Sequence, residues 1–94
     1  MRKLPSRVKI KNKVEYEVVL VDEFKDKLTL GECRFHARQI AIKKDQSDKE
    51  LFKCLFHELL HSVCEERGIK ISHKAIYQLE DAIYYLLFHN KWDK

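Results

Sequence analysis

The chain has 94 residues, a formal net charge of +4 and a hydrophobic fraction of 45%. This length supports a single domain spanning 1–94 with a modest core. It contains no apolar stretch of about 18 residues, so a membrane span is excluded, and no apolar run follows the charged N-terminus to form a signal peptide. Three cysteines without disulfide-like spacing suit a reducing cytosol, so we expect a cytoplasmic protein.

Much of the positive charge lies near the N-terminus, which includes Arg2 and Lys3. Between residues 7 and 13, basic residues alternate with uncharged ones, so the basic side chains would share one face of a strand. That face is either a patch for nucleic acid or an acidic partner, or the solvated side of an edge strand. No aromatic residues interleave with the charges, so we favour the edge strand and consider a nucleic-acid partner unlikely. The alternating basic residues are Arg7, Lys9, Lys11 and Lys13.

Four strands and two helices are predicted, in that order. Alternation and turn residues indicate strands at 7–11, 14–22, 31–36 and 39–43, the last two forming a hairpin around Ala37 and Arg38. A helix is predicted from Asp48 to Arg67, with Ser47 or Asp48 as its N-terminal cap and Gly68 as the residue that ends it. A last helix runs from Ser72 to about His89. The order predicts an α+β domain whose small, mainly antiparallel sheet packs on two C-terminal helices. The apolar stripe of the last helix comprises Ile76, Leu79, Ile83, Leu86 and Leu87.

The segment His57-Glu58-Leu59-Leu60-His61 has the spacing HExxH. Histidines four residues apart lie on one helix face and can bind one zinc ion. The glutamate after the first histidine is then placed to act as general base towards a zinc-activated water. The alternative is a surface helix with two incidental histidines. The apolar residues of this helix cover one broad arc and the histidines lie on another, which favours a buried metal site.

Two cysteines flank the motif on the histidine side of the helix, at Cys54 and Cys64. A structural zinc site with two cysteines and two histidines is one interpretation. Four ligands along one straight helix span about 15 Å, however, which is beyond the reach of one ion. We therefore interpret both cysteines, and Cys33 as well, as small buried residues.

The layout of strands, a helix with HExxH and a second helix resembles the minimal zincin metallopeptidases. More narrowly, the chain resembles small phage and prophage proteins related to the ImmA/IrrE-type metallopeptidases. This likeness implies a zinc site at His57 and His61, Glu58 as general base, and a strand near Ile40 that aligns an extended peptide substrate. Only the HExxH segment is specific. The segments that carry the likeness are 16–22, 30–33, 38–42, 55–63 and 79–84.

A catalytic zinc needs a third protein ligand, and the last helix offers His73 and Glu80. They are two turns apart on one side of the helix and differ in height by about 10 Å, so we expect one of them to bind. Glu80, at 19 residues after His61, is similar to the gluzincin pattern. The ImmA/IrrE-like pattern places its ligand at position 73, where this chain has histidine, as SprT-like zincins do. We choose His73, with Glu80 as the alternative; a carbonyl, a water or no third ligand are the remaining options.

These features predict a zinc-dependent peptidase that hydrolyses a peptide bond of a protein substrate, with a repressor or other regulator as one candidate. Tyr77, Tyr84 and His89 are candidate donors to the oxyanion, although packing is the more common role of such residues. One rival function is a zincin-shaped module that binds a regulatory protein without hydrolysis. Another is a basic nucleic-acid-binding domain with structural zinc. Glu58 argues against both, because a structural site does not require it.

Overall fold

In a computed structural model of the chain, residues 4–91 are described. Arg2 and Lys3, which belong to the basic N-terminal region noted in the sequence, lie outside this range. All six predicted elements are present, with strands two and three ending slightly earlier than expected. The elements are β1 (Arg7–Lys11), β2 (Val14–Val21), β3 (Gly31–Arg34), β4 (Gln39–Lys43), α1 (Asp48–Arg67) and α2 (His73–Phe88).

The four strands form one sheet in the order β1-β2-β4-β3. β1 pairs antiparallel with β2, and β3 pairs antiparallel with β4. The central pair, β2 and β4, is parallel. The sheet is therefore mainly antiparallel, and the expected α+β class is confirmed. β1 and β3 are the outer strands, so each has one edge that no other described strand covers.

One face of the sheet packs against α1 and forms the core. Val14, Tyr16 and Val18 of β2 alternate with exposed glutamates, as expected for a half-buried strand. The Tyr16 side chain is fully buried, and its hydroxyl donates to Glu66 near the end of α1 at 2.8 Å. From the neighbouring strand and the helix, the core receives Ile40, Ile42, Leu51 and Leu55.

The ends of α1 have the predicted capping residues. Ser47 precedes the helix, and its side chain accepts from the amide of Glu50 at 3.2 Å, which selects Ser47 over Asp48 as the cap. Gly68 follows the helix with φ of 66°, the left-handed conformation that glycine adopts without strain. The buried side of α1 consists of Leu51, Leu55, Glu58 and Ser62.

The second helix packs less completely than its sequence suggests. Ser72 caps α2 by accepting from the amide of Ala75 at 3.1 Å. Among the described helices and strands, α2 contacts only α1. Ile76 is buried, but Leu79 and Leu86 are 41% and 53% exposed, so the apolar stripe of α2 is only partly covered. Leu87 is exposed as well. A helix with a single neighbour buries only a narrow part of its circumference.

The basic strand lies where the edge-strand interpretation placed it. β1 is an outer strand, and its basic side chains are exposed. Arg7 lies 3.4 Å from Glu15, and Lys11 donates to the Glu66 carbonyl at 2.8 Å. These contacts place part of the basic surface against the protein itself. Neither described helix is both long and apolar enough to cross a bilayer.

Candidate metal centre

Helix α1 brings the two histidines of the motif together. His57 and His61 are one turn apart, and their ring centroids are separated by 4.8 Å. Their Nε2 atoms lie 3.2 Å apart. The side chain of His57 is only 12% exposed, and His61 is half-buried.

The first residue of α2 completes a cluster of three histidines. Nε2 of His73 lies 3.2 Å from Nε2 of His57, and the candidate ligand atoms of His57, His61 and His73 all lie within 4.8 Å of one another. In a tetrahedral zinc site with Zn–N distances of about 2.05 Å, neighbouring nitrogens are about 3.3 Å apart. The two separations of 3.2 Å match this value, so the three histidines could hold a metal ion. Of the two candidates for the third ligand, the structure brings His73 into the cluster.

Glu80 lies on the other side of the His57 ring. Its Oε1 atom is 2.7 Å from Nδ1 of His57, and Glu80 is 7% exposed. A carboxylate at this distance accepts a hydrogen bond from Nδ1–H of neutral His57, which leaves the Nε2 lone pair directed towards His61 and His73. Glu80 is thereby placed to set the tautomer and orientation of a ligand, a different role from the alternative third ligand considered above. Glu80 follows His73 by seven residues, so both side chains lie on one side of α2. This spacing is the sequence signal that Glu80 lies near the histidines.

The burial of the site alters its protonation equilibria. The pKa of His61 is lowered, first by burial and then by the neighbouring positive charges that His57 and His73 would carry. The lowered pKa favours the neutral imidazole, which is the form that binds a metal. The pKa of Glu58 is raised mainly by burial; Glu80 and Glu32 add to the increase, and His57 opposes it.

Glu58 lies between the histidine cluster and strand β3. It is 8% exposed and belongs to the side of α1 that faces the sheet. Strand β3 approaches it closely because Gly31 has no side chain. A Cβ atom at position 31 would lie 3.2 Å from Oε2 of Glu58 and 2.5 Å from Sγ of Cys54. This approach was not predicted from the sequence, although a glycine at the start of a strand is a signal of close packing.

The cluster opens into a cleft of about 850 Å³. One wall is formed by the segment that leads into β3, and the other by the first two turns of α2. Lys53 of α1 and Asp81 of α2 form an ion pair at 3.0 Å in this wall. The lining includes Leu28, Leu30, Gly31, Glu50, His57, Glu58, His61, His73, Tyr77 and Glu80.

Of the three candidate oxyanion donors, only Tyr77 lines the cleft among the described residues. Its ring centroid lies 4.7 Å from that of His57, and the residue is 59% exposed. Tyr84 packs on Phe88 at 4.7 Å, and His89 stacks on Tyr85 at 4.4 Å. Packing therefore accounts for Tyr84 and His89, as their sequence context predicts.

The cysteines do not join the cluster of possible ligands in the described chain. Cys33, Cys54 and Cys64 are free and half-buried, less buried than predicted. Burial raises the pKa of Cys33 and of Cys54 to about 12, with the charge of Glu58 as the next contribution. The Cys54 thiol donates to the Leu30 carbonyl at 3.3 Å, so it joins α1 to the segment before β3.

The prediction of a substrate-aligning strand near Ile40 is wrong. That residue belongs to β4, which is paired with β2 on one side and with β3 on the other. Both edges of β4 are therefore occupied by the sheet itself. Beside the cleft it is β3 that has an edge to which no other described strand pairs.

Comparisons with protein-family models, curated proteins and solved structures found no match.

Proposed function

We propose that this protein is a zinc-dependent peptidase that hydrolyses a peptide bond in a protein substrate. The proposal depends on one observation above all. Nε2 atoms of His57, His61 and His73 converge next to the buried carboxylate of Glu58, in a cleft open to solvent. A zinc ion bound by the three histidines would polarise the scissile carbonyl and lower the pKa of a water molecule.

The remaining steps are assigned to side chains of the chain itself. Glu80 holds His57 in the tautomer whose Nε2 is available to a ligand. Glu58 accepts a proton from the attacking water and delivers it to the leaving amine. Tyr77 is the side chain best placed to donate to the oxyanion, since it lines the same cleft beside His57.

Strand β3 supplies a surface on which an extended peptide can lie. The amide of Lys43 donates to the Leu30 carbonyl, and bonded pairs alternate along an antiparallel ladder. Gly31 and Cys33 therefore direct their backbone groups to the outer edge. A substrate strand added at this edge would pass beside Glu58 and the histidines. A cytosolic regulatory protein, such as a repressor, is the substrate class that the resemblance to phage-encoded zincins suggests.

The experiment compares wild type with Glu58→Gln, using Glu50→Gln as the matched control. Glu50 also lines the cleft but is exposed. Tag-free proteins are analysed for zinc and incubated with a peptide library, with products identified by mass spectrometry. We expect near-stoichiometric zinc in all three proteins and cleavage by wild type and Glu50→Gln only. If wild type folds without zinc, the metal site is refuted. If all three bind zinc and none cleaves, a binding module replaces the peptidase.

A further inference from the structure

The exposed side of α2 carries an apolar seam that the proposed site does not use. It consists of Ala75, Leu79, Ala82 and Leu86, and its spacing of four, three and four residues is that of alternating d and a positions in a coiled coil. Leu79 and Leu86 are 41% and 53% exposed, and Ala82 is exposed too. The seam lies about 110° around the helix from the side formed by Glu80 and Ile76, which are buried where α2 meets α1.

From this pattern we infer that the seam pairs with the same seam of a second copy, with the two α2 helices antiparallel. In antiparallel coiled coils, a positions face d positions of the other helix. A two-fold axis midway between Leu79 and Ala82 places Leu79 opposite Ala82 of the second copy. The same axis places Leu86 opposite Ala75. Each large side chain thus meets a small one, which is the self-complementarity that a two-fold interface requires.

The flanking residues and the absence of charge from the seam favour a second copy over a charged partner. The same axis brings Gln78 near Tyr85 of the other copy, so the polar ends of both side chains stay at the rim. None of the four seam residues is charged, and the nearby charges of Lys74 and Asp81 lie on another side of the helix. The chain has a net charge of +4, so two copies repel each other at long range. Added salt should therefore strengthen this association, whereas it would weaken binding to an acidic partner.

The seam is short, about 17 Å along the helix, so the dimer should be weak. We expect sedimentation velocity of the full chain to show a reversible shift from monomer to dimer between about 1 µM and about 500 µM. Leu79→Glu should raise the dissociation constant at least tenfold, or about 1.4 kcal/mol. Ala82→Arg provides a second variant at an exposed position that makes no contribution to the core.

Leu20→Glu is the matched control, because Leu20 lies on β2 and is 52% exposed, like Leu86. It should dimerise as wild type does. Circular dichroism checks that each variant keeps its helices. A wild type that stays monomeric over the whole range overturns the inference, as does equal dimerisation of wild type, Leu79→Glu and Ala82→Arg. Zinc content is measured in parallel, so failure of the metal site and failure of the dimer are distinguishable.

Discussion

Oε1 of Glu80 lies 2.7 Å from Nδ1 of His57, and this contact connects the two helices at the centre of the candidate site. Both side chains are largely buried, with exposures of 9% and 12%. The carboxylate therefore acts on the ring in a low-dielectric environment, where a hydrogen bond to a charged group is strong.

Glu80→Gln should keep three histidines at the metal but reduce zinc affinity by about tenfold to 100-fold, because a neutral amide orients the imidazole less strongly. Competition with a chelator measures the affinity, and X-ray absorption counts the bound histidines. Asp81→Asn, next in sequence but exposed, serves as the control. If X-ray absorption shows one metal ligand fewer in Glu80→Gln but the same number of bound histidines, Glu80 is itself a metal ligand.

His73→Ala should reduce zinc affinity by more than Glu80→Gln does and leave two bound histidines. The reason is that Nε2 of His73 belongs to the cluster itself, at 3.2 Å from Nε2 of His57. Lys74→Ala, at the following exposed position, controls for a change in the first turn of α2. The opposite ranking of His73→Ala and Glu80→Gln would contradict this assignment.

Gly31→Ala should destabilise the fold by about 1–3 kcal/mol, because the new methyl group overlaps Sγ of Cys54. Adding Cys54→Ala removes that atom and should recover part of the loss, which urea denaturation of the two single variants and the double variant measures. Gly68→Ala is the comparison. It introduces strain at φ of 66° with no steric neighbour, so Cys54→Ala should not rescue it. Strict additivity of Gly31→Ala and Cys54→Ala would show that the predicted overlap is relieved elsewhere.

The thiols of Cys33 and Cys54 should react slowly with iodoacetamide in the folded protein. Their pKa of about 12 keeps them protonated at pH 8.5, and the thiolate is the reactive form. Reactivity should rise with pH up to about 12, while the unfolded chain reacts several pH units lower. Since the folded state retains these protons longer, the stability contributed by both thiols is complete below about pH 9 and is lost as pH rises towards 12. Mass spectrometry of timed alkylation tests this; rapid labelling of both residues at pH 8.5 without unfolding would refute it.

Local patterns in the sequence were sufficient for the elements and for part of the site. Alternation located β1 and β4, and capping residues located both ends of α1, because these signals act within a few residues. The HExxH spacing likewise predicted that His57 and His61 lie together, because residues four apart share one helix face. The choice of His73, in contrast, came from the likeness to the ImmA/IrrE pattern.

Contacts between residues that are far apart in the sequence were harder to predict. Nothing local to Ile40 indicates that its strand is paired on both sides, since this follows from the parallel pairing of β2 with β4. Periodicity placed Leu79 and Leu86 with Ile76, but it does not tell how many neighbours a helix has. The contact of Glu80 with His57 depends on the packing angle of two helices. The close approach of Gly31 to Glu58 depends in the same way on a strand and a helix meeting in space.

Among the described helices and strands, α2 is attached to α1 alone, and this has a consequence for local unfolding. Two groups of the candidate centre, His73 and Glu80, belong to the helix with the fewest structural neighbours. Zinc would therefore act as a cross-link between α2 and the rest of the chain, and its binding would stabilise the folded position of this helix. We expect a chelator to accelerate amide hydrogen exchange and proteolysis in α2 well before the sheet is affected. The concentration of available zinc would then determine how rapidly α2 unfolds and is cleaved by proteases.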